Sequence, residues 1–142
     1  MLDFTVIGEP APQGSKTKTR WGVREDNPRT KPWRATVAAA AAEAKNGQPP
    51  LDGPLKLEVV FTFIRPSAHY GTGRNAGILK ASAPTWHTKV PDSDKLLRAI
   101  GDSLTQSGAI RDDARICWTN ARKLYGDTAS ARIIVTQLKE PM

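Results

Sequence analysis

Apolar residues along this chain fall into two periods. Residues 2–7 carry Phe4, Val6 and Ile7 and predict a first strand, ended by Pro10, Pro12 and Gly14 in residues 8–14. A helix is expected over 32–45, with Pro32 near its start, five consecutive alanines (Ala38 to Ala42) inside it, and Asn46-Gly47 at its end. So many alanines fit either simple helix propensity or close approach to a sheet or a partner subunit. Residues 55–64 alternate early and are β-branched and aromatic later, which predicts a central strand. In 93–107, Leu96, Leu97, Ile100 and Leu104 share one arc of a second helix, closed by Gly108. Strands over 115–125 and 130–138 follow, joined by an expected hairpin turn at Gly126-Asp127. The order β-α-β-α-β-β has too few crossovers for a doubly wound fold. An α+β class, with a mixed sheet and helices packed on it, fits better.

At 142 residues the chain is expected to be one domain over 1–142, large enough to bury roughly 68–70% of its unfolded surface. A single cysteine, Cys117, excludes an internal disulfide and a multi-cysteine zinc site, and its apolar neighbours suggest a reduced, buried side chain. No basic-then-apolar leader and no stretch near the roughly 20 apolar residues of a membrane span is present. The expectation is a soluble, intracellular protein with no membrane partner.

Charge changes the picture most. The formal net charge is +7 and the pI about 9.9, which suits a partner rich in phosphate. Two segments hold the cations. In 15–34, Lys16, Lys18, Arg20, Arg24, Arg29, Lys31 and Arg34 interleave with Trp21 and Trp33. The long loop 65–91 contains Arg74, Lys80 and Lys89, and from Val59 to Pro91 there is no acid at all. Loops of this length are usually functional or disordered. These lysines and arginines are the expected phosphate contacts, giving affinity without sequence information. Trp21, Tyr70 and Trp86 could stack on unpaired bases, whereas Trp33 and Trp118 are expected in the core. His69 and His87 are expected to be solvent-exposed loop residues.

Against that basic background, five of the fourteen acids lie between 92 and 113: Asp92, Asp94, Asp102, Asp112 and Asp113. Clustered carboxylates repel one another and persist where something positive sits among them. One explanation is local: Asp92 or Ser93 caps the second helix, and Asp94, Arg98 and Asp102, four apart, form ion pairs worth about 0.2–0.5 kcal/mol each. The other is an oxygen-rich site for Mg²⁺ or Mn²⁺, which prefers a few carboxylates plus water and substrate phosphate. Spacing alone does not bring the acids together. A strand returning along the helix starts some 20 Å from Asp94 at about 1.5 Å per residue, so the connector must fold back or another subunit must contribute.

The run Pro91-Asp92-x-Asp94-x-Leu96-x-x-Ala99-x-x-Asp102-x-Leu104, followed by Asp112-Asp113, resembles the RusA family of Holliday junction resolvases, phage-type members included. The match is dense over 90–125 and looser in the N-terminal half. The resemblance implies a Mg²⁺-dependent, homodimeric endonuclease that nicks four-way DNA junctions symmetrically, acting in the cytoplasm (that of a bacterial host for a phage protein). It implies catalytic acids at Asp92, Asp94 and Asp113, with Asp112 beside the last and all four at the metal. Two positions depart from the family pattern: Lys95 stands where Asn is usual, and Arg98 where Lys is usual. Arg98 keeps the charge but cannot exchange a proton, which leaves Lys95 as the proton-competent cation beside the acids. A non-catalytic branched-DNA-binding protein on the same fold is the alternative, and a purely structural acidic cluster in a basic RNA- or protein-binding domain is a third reading.

Overall fold

In a computed structural model, residues 1–14, 16–25 and 27–140 are described, residues 16–19 and 23–25 by their backbone alone. Six strands and two helices follow in the order β1 (Leu2–Ile7), β2 (Lys16–Thr19), β3 (Gly22–Glu25), α1 (Thr30–Lys45), β4 (Leu55–Ile64), α2 (Ser93–Gln106), β5 (Ile116–Gly126) and β6 (Ser130–Gln137). The α+β class and the mixed sheet are as expected from the sequence. The hairpin β2–β3 is an addition inside the basic segment, with Lys16 opposite Glu25 and Thr19 opposite Gly22.

The main sheet runs β1-β6-β4-β5. β4 is parallel to β5 and antiparallel to β6, and β6 is antiparallel to β1. The expected β5–β6 hairpin is therefore wrong: β4 lies between them. Asp127 to Ala129 carry the chain across the end of β4, two strand spacings or about 9.6 Å, well within the reach of an extended connection. The crossing is close. A side chain at Gly126 would put its Cβ 2.7 Å from Thr62 Cγ2, so a larger residue there would force Thr62 to shift. Placing β4 in the centre buries the most apolar strand of the chain.

Period-two patterning explains which face is covered. Leu55, Leu57, Val59, Phe61 and Phe63 of β4 and Ala131, Ile133 and Val135 of β6 are buried under the helices. From α2, Leu96, Ile100 and Leu104 meet them, and Val37 and Ala41 do so from α1. α1 packs on both β1 and α2, and buried Ala41 with half-buried Ala38, Ala40 and Ala44 lets the helices approach. Contact is thus a reason for the alanine run. Trp33 is buried as expected.

Among the described residues no helix covers the opposite sheet face, which corrects two expectations. Trp118 is 53% exposed and lies 3.9 Å from Lys56 Nζ, a cation–π contact rather than core packing. Cys117 is exposed as well; the strand register shifts at this point and turns it out of the ladder. No helix among the described residues is long and apolar enough to cross a membrane.

Candidate active site

α2 presents its acids at two places. At its N-terminus Asp92 occupies the cap position, with no side-chain capping bond, and forms an ion pair with Lys95 at 3.8 Å. Asp94 and Arg98 follow on the exposed side. The residues leading into the helix are fixed from β5: Lys123 Nζ donates to Lys89 O at 2.7 Å and to Pro91 O at 2.6 Å. From the other flank, Gln13 N–H donates to Lys95 O at 2.9 Å, and Arg34 Nη1 reaches Gln13 Oε1 at 3.4 Å. Thr30 Oγ1 donates to Pro12 O at 2.7 Å and ties the same stretch to α1.

The second place lies further along the helix. After α2 the chain pairs with the segment before β4: Leu51 N–H donates to Ala109 O, and Arg111 N–H to Leu51 O. Arg115 Nε meets Asp52 Oδ1 at 3.3 Å. These contacts turn the connector back along α2, and a 3-10 turn at Asp113–Arg115 docks on the helix. Buried Gly101 receives it: a Cβ there would stand 3.7 Å from Asp113 Cβ and 4.0 Å from its Oδ2. Seven residues, roughly 10 Å of helix, now separate this level from Asp94 instead of about 20 Å.

Asp112 caps that turn, its Oδ1 accepting from Ala114 N–H at 3.0 Å. This bond, a hydrogen bond from Asp113 and the nearby Arg115 charge hold the Asp112 carboxyl below its usual range. Asp113 is pushed up, first by sharing that hydrogen bond with Asp112, then by desolvation, then by the charges of Asp112 and Asp102. The two carboxyls are therefore unequal, with Asp112 the more acidic. Asp102 belongs to this acidic field, which corrects its expected pairing with Arg98: among the described residues no ion pair links Asp94, Arg98 and Asp102.

The structure brings Asp112, Asp113 and Asp102 near one another and keeps Asp92 with Lys95. Among the described residues no three carboxylate, histidine or cysteine side chains form a ready metal cage. Of the expected phosphate contacts, Arg20, Lys31, Arg74, Lys80 and Lys89 are exposed. Arg20 packs 4.8 Å from the Trp21 ring, and Trp21 and Trp86 are both exposed. Arg29 is exposed but already paired with Glu9 at 3.2 Å. The side chains of Lys16, Lys18 and Arg24 lie outside the described residues.

Sequence reasoning missed Lys123 and misplaced His87. Lys123 sits at a helix-facing position of β5, where a lysine is out of pattern; that was the available signal. His87 is 8% exposed, stacked on Phe63 with centroids 4.1 Å apart, and its backbone N–H donates to Lys123 O at 2.9 Å. Thr85, Trp86 and His87 pair with the outer edge of β5 at Lys123, Leu124 and Tyr125, which carries the histidine inward. Burial and the Lys123 charge lower its pKa.

Compared with models of known protein families, residues 3–136 match Endodeoxyribonuclease RusA. No curated protein matches the chain.

Proposed function

The chain belongs to the endodeoxyribonuclease RusA family, and from that premise we propose that it is a divalent-metal-dependent endonuclease that resolves four-way DNA junctions by paired nicks. The observation that carries this reading is the docking of Asp112-Asp113 on Gly101 of the same helix that bears Asp92 and Asp94. It supports one acidic surface along α2, facing a partner that the remaining charge of the protein attracts.

The donor chemistry fits Mg²⁺ or Mn²⁺. All candidate ligands are carboxylate oxygens, and Mg²⁺ commonly takes one or two of them alongside water and substrate phosphate. The pKa of Asp113 is raised by its bond to Asp112, by desolvation and by the charges of Asp112 and Asp102; a bound cation would oppose that shift. Asp113 and Asp112 would hold the metal, with Asp92 and Asp94 joining them on the substrate side. When bound, the ion supplies activation of water and neutralisation of charge at phosphorus.

The protein's own groups have separate tasks. Lys95 is held over Asp92 and can shift to a phosphate oxygen, while Arg98 offers a fixed positive charge beside Asp94. Lys123 keeps the residues before Asp92 in place. Arg20, Lys31, Arg74, Lys80 and Lys89 give non-specific affinity for the DNA arms. A junction has two equivalent strands to cut, so a twofold dimer is the matching symmetry.

The alternative, a branched-DNA-binding protein without catalysis, draws support from the Lys95–Asp92 ion pair, which already compensates one of the acids. Incubation with a synthetic four-way junction and a matched linear duplex, with and without Mg²⁺, separates the two. Junction-selective nicking that needs Mg²⁺ is expected. Tight junction binding with no nicking at any metal concentration would favour the alternative.

A further inference from the structure

A cleft of about 940 Å³ opens beside Asp92 and Lys95, at the C-terminal ends of β4 and β5. Its walls include Phe63, Ile64, His87, Tyr125 and Ala129, and Lys89 and Arg29 stand at its margin. Asp92 and Lys95 line it and the carboxylates of Asp112 and Asp113 do not, so it opens onto the N-terminal end of the candidate active site. This volume is in the range of sites that enclose a small organic group rather than a strand of backbone.

Its wall is aromatic and ordered. His87 stacks on Phe63, and Tyr125 lies 4.9 Å from His87 and 4.8 Å from His69. His87 is 8% exposed, yet its Nδ1 has no hydrogen-bond partner among the described residues. A buried, unpaired ring nitrogen costs stability, and it distinguishes this cleft from a plain apolar groove. Two acids, Glu9 and Asp92, and three cations, Arg29, Lys89 and Lys95, line the cleft, a net positive balance that favours a ligand carrying phosphate.

We propose that the cleft takes one nucleobase, drawn out of the stack at the branch point, with Phe63, His87 and Tyr125 as its platform and His87 hydrogen-bonding its edge. The base's own phosphates lie toward Lys89 and the start of α2. This rests on the function argued above and adds to it a means of recognising a branch, where bases unstack at least cost. A continuous duplex offers no such base, so the cleft would select junctions over linear DNA.

The test uses the full chain in EDTA, with four-way junctions carrying a single 2-aminopurine at successive positions across the branch point. One position is expected to change its fluorescence on binding. Two cleft-filling variants, Ala129→Phe within the wall and Ile64→Trp at its exposed lip, should abolish that response. They should weaken junction binding roughly tenfold, the usual worth of one base stacked on an aromatic group. Junction binding with no responsive position overturns the proposal and leaves the endonuclease reading intact, as does a response that survives in both variants. A change in the sedimentation mass of the free protein on filling the cleft assigns it to a second copy of the chain and also overturns the proposal. Failure of the unaltered protein to bind any junction overturns both readings.

Discussion

The two ends of the acidic surface on α2 are held differently. At the N-terminus, Asp92 is exposed and compensated by Lys95, and the chain around it is fixed by bonds from Lys123 and Gln13. At Gly101, Asp113 shares a hydrogen bond with Asp112, and that bond, desolvation and the charges of Asp112 and Asp102 raise its pKa. At one place the acid is ion-paired to its own lysine; at the other the nearby cation, Arg115, is ion-paired to Asp52 instead. Asp112 caps the docked turn, whereas the repulsion felt by Asp113 is of the kind a ligand of opposite charge would relieve. On the proposed function, the Asp112–Asp113 end has the most to gain from a metal ion, while Asp92 is already charge-compensated by Lys95.

The largest effect that could break this contrast is at Asp113. Asp113→Asn should lower the nicking rate on the order of 100-fold or more, the equivalent of several kcal/mol of lost charge stabilisation, while leaving the melting temperature unchanged or slightly raised. Steady-state nicking and thermal unfolding of the same preparations check both halves. A loss of activity matched by a loss of stability would mean that Asp113 holds the fold rather than a metal.

A smaller effect is expected at Lys123. Removing its ammonium in Lys123→Met leaves the carbonyls of Lys89 and Pro91 without their donor, at a cost of about 1.5–3 kcal/mol for charged hydrogen bonds. Chemical denaturation measures it. Nicking should fall as well through misplacement of Asp92, and a Lys123→Met protein of unaltered stability would show that the N-terminal end is fixed by something else.

The smallest concerns pH. The folded-state pKa of His87 is depressed below that of the free imidazole, about 6.5, so the neutral ring is the form the fold prefers. Its contribution to stability is present above pH 6.5 and is lost as pH falls through the lowered folded value. The melting temperature of the native protein should therefore decline more steeply below pH 6.5 than that of His87→Phe, which retains a ring to stack on Phe63. Parallel slopes would show that His87 is not protected from protonation.

Much of this was legible in the sequence where a local rule governed it. The alternation in 55–64 and the arc of Leu96, Ile100 and Leu104 report burial on one face, and both elements form where expected. The candidate acids could also be picked out, since carboxylates crowded within a basic chain are a local anomaly. Strand order was not legible. Gly126-Asp127 reads as a hairpin turn, but whether β6 lies beside β5 or beyond β4 depends on which strand claims the centre of the sheet, a property of all four strands together. The return of Asp113 to Gly101 was hidden for the same reason: it depends on Leu51 and Asp52, about sixty residues away in the chain. His87 and Trp118 were misplaced because their neighbours in sequence are not their neighbours in space.

Under the proposed function the two ends of the acidic surface serve one metal-assisted reaction. Its most direct test is the initial rate of four-way-junction nicking, as a function of Mg²⁺ concentration, for the unaltered protein, Asp92→Asn, Asp113→Asn and the double variant. Groups acting as a unit are strongly non-additive. The account predicts that each single variant loses the Mg²⁺-dependent reaction, that the double variant is no worse than either, and that all four bind the junction. Full nicking by Asp92→Asn or Asp113→Asn, or losses that multiply in the double variant, would contradict it.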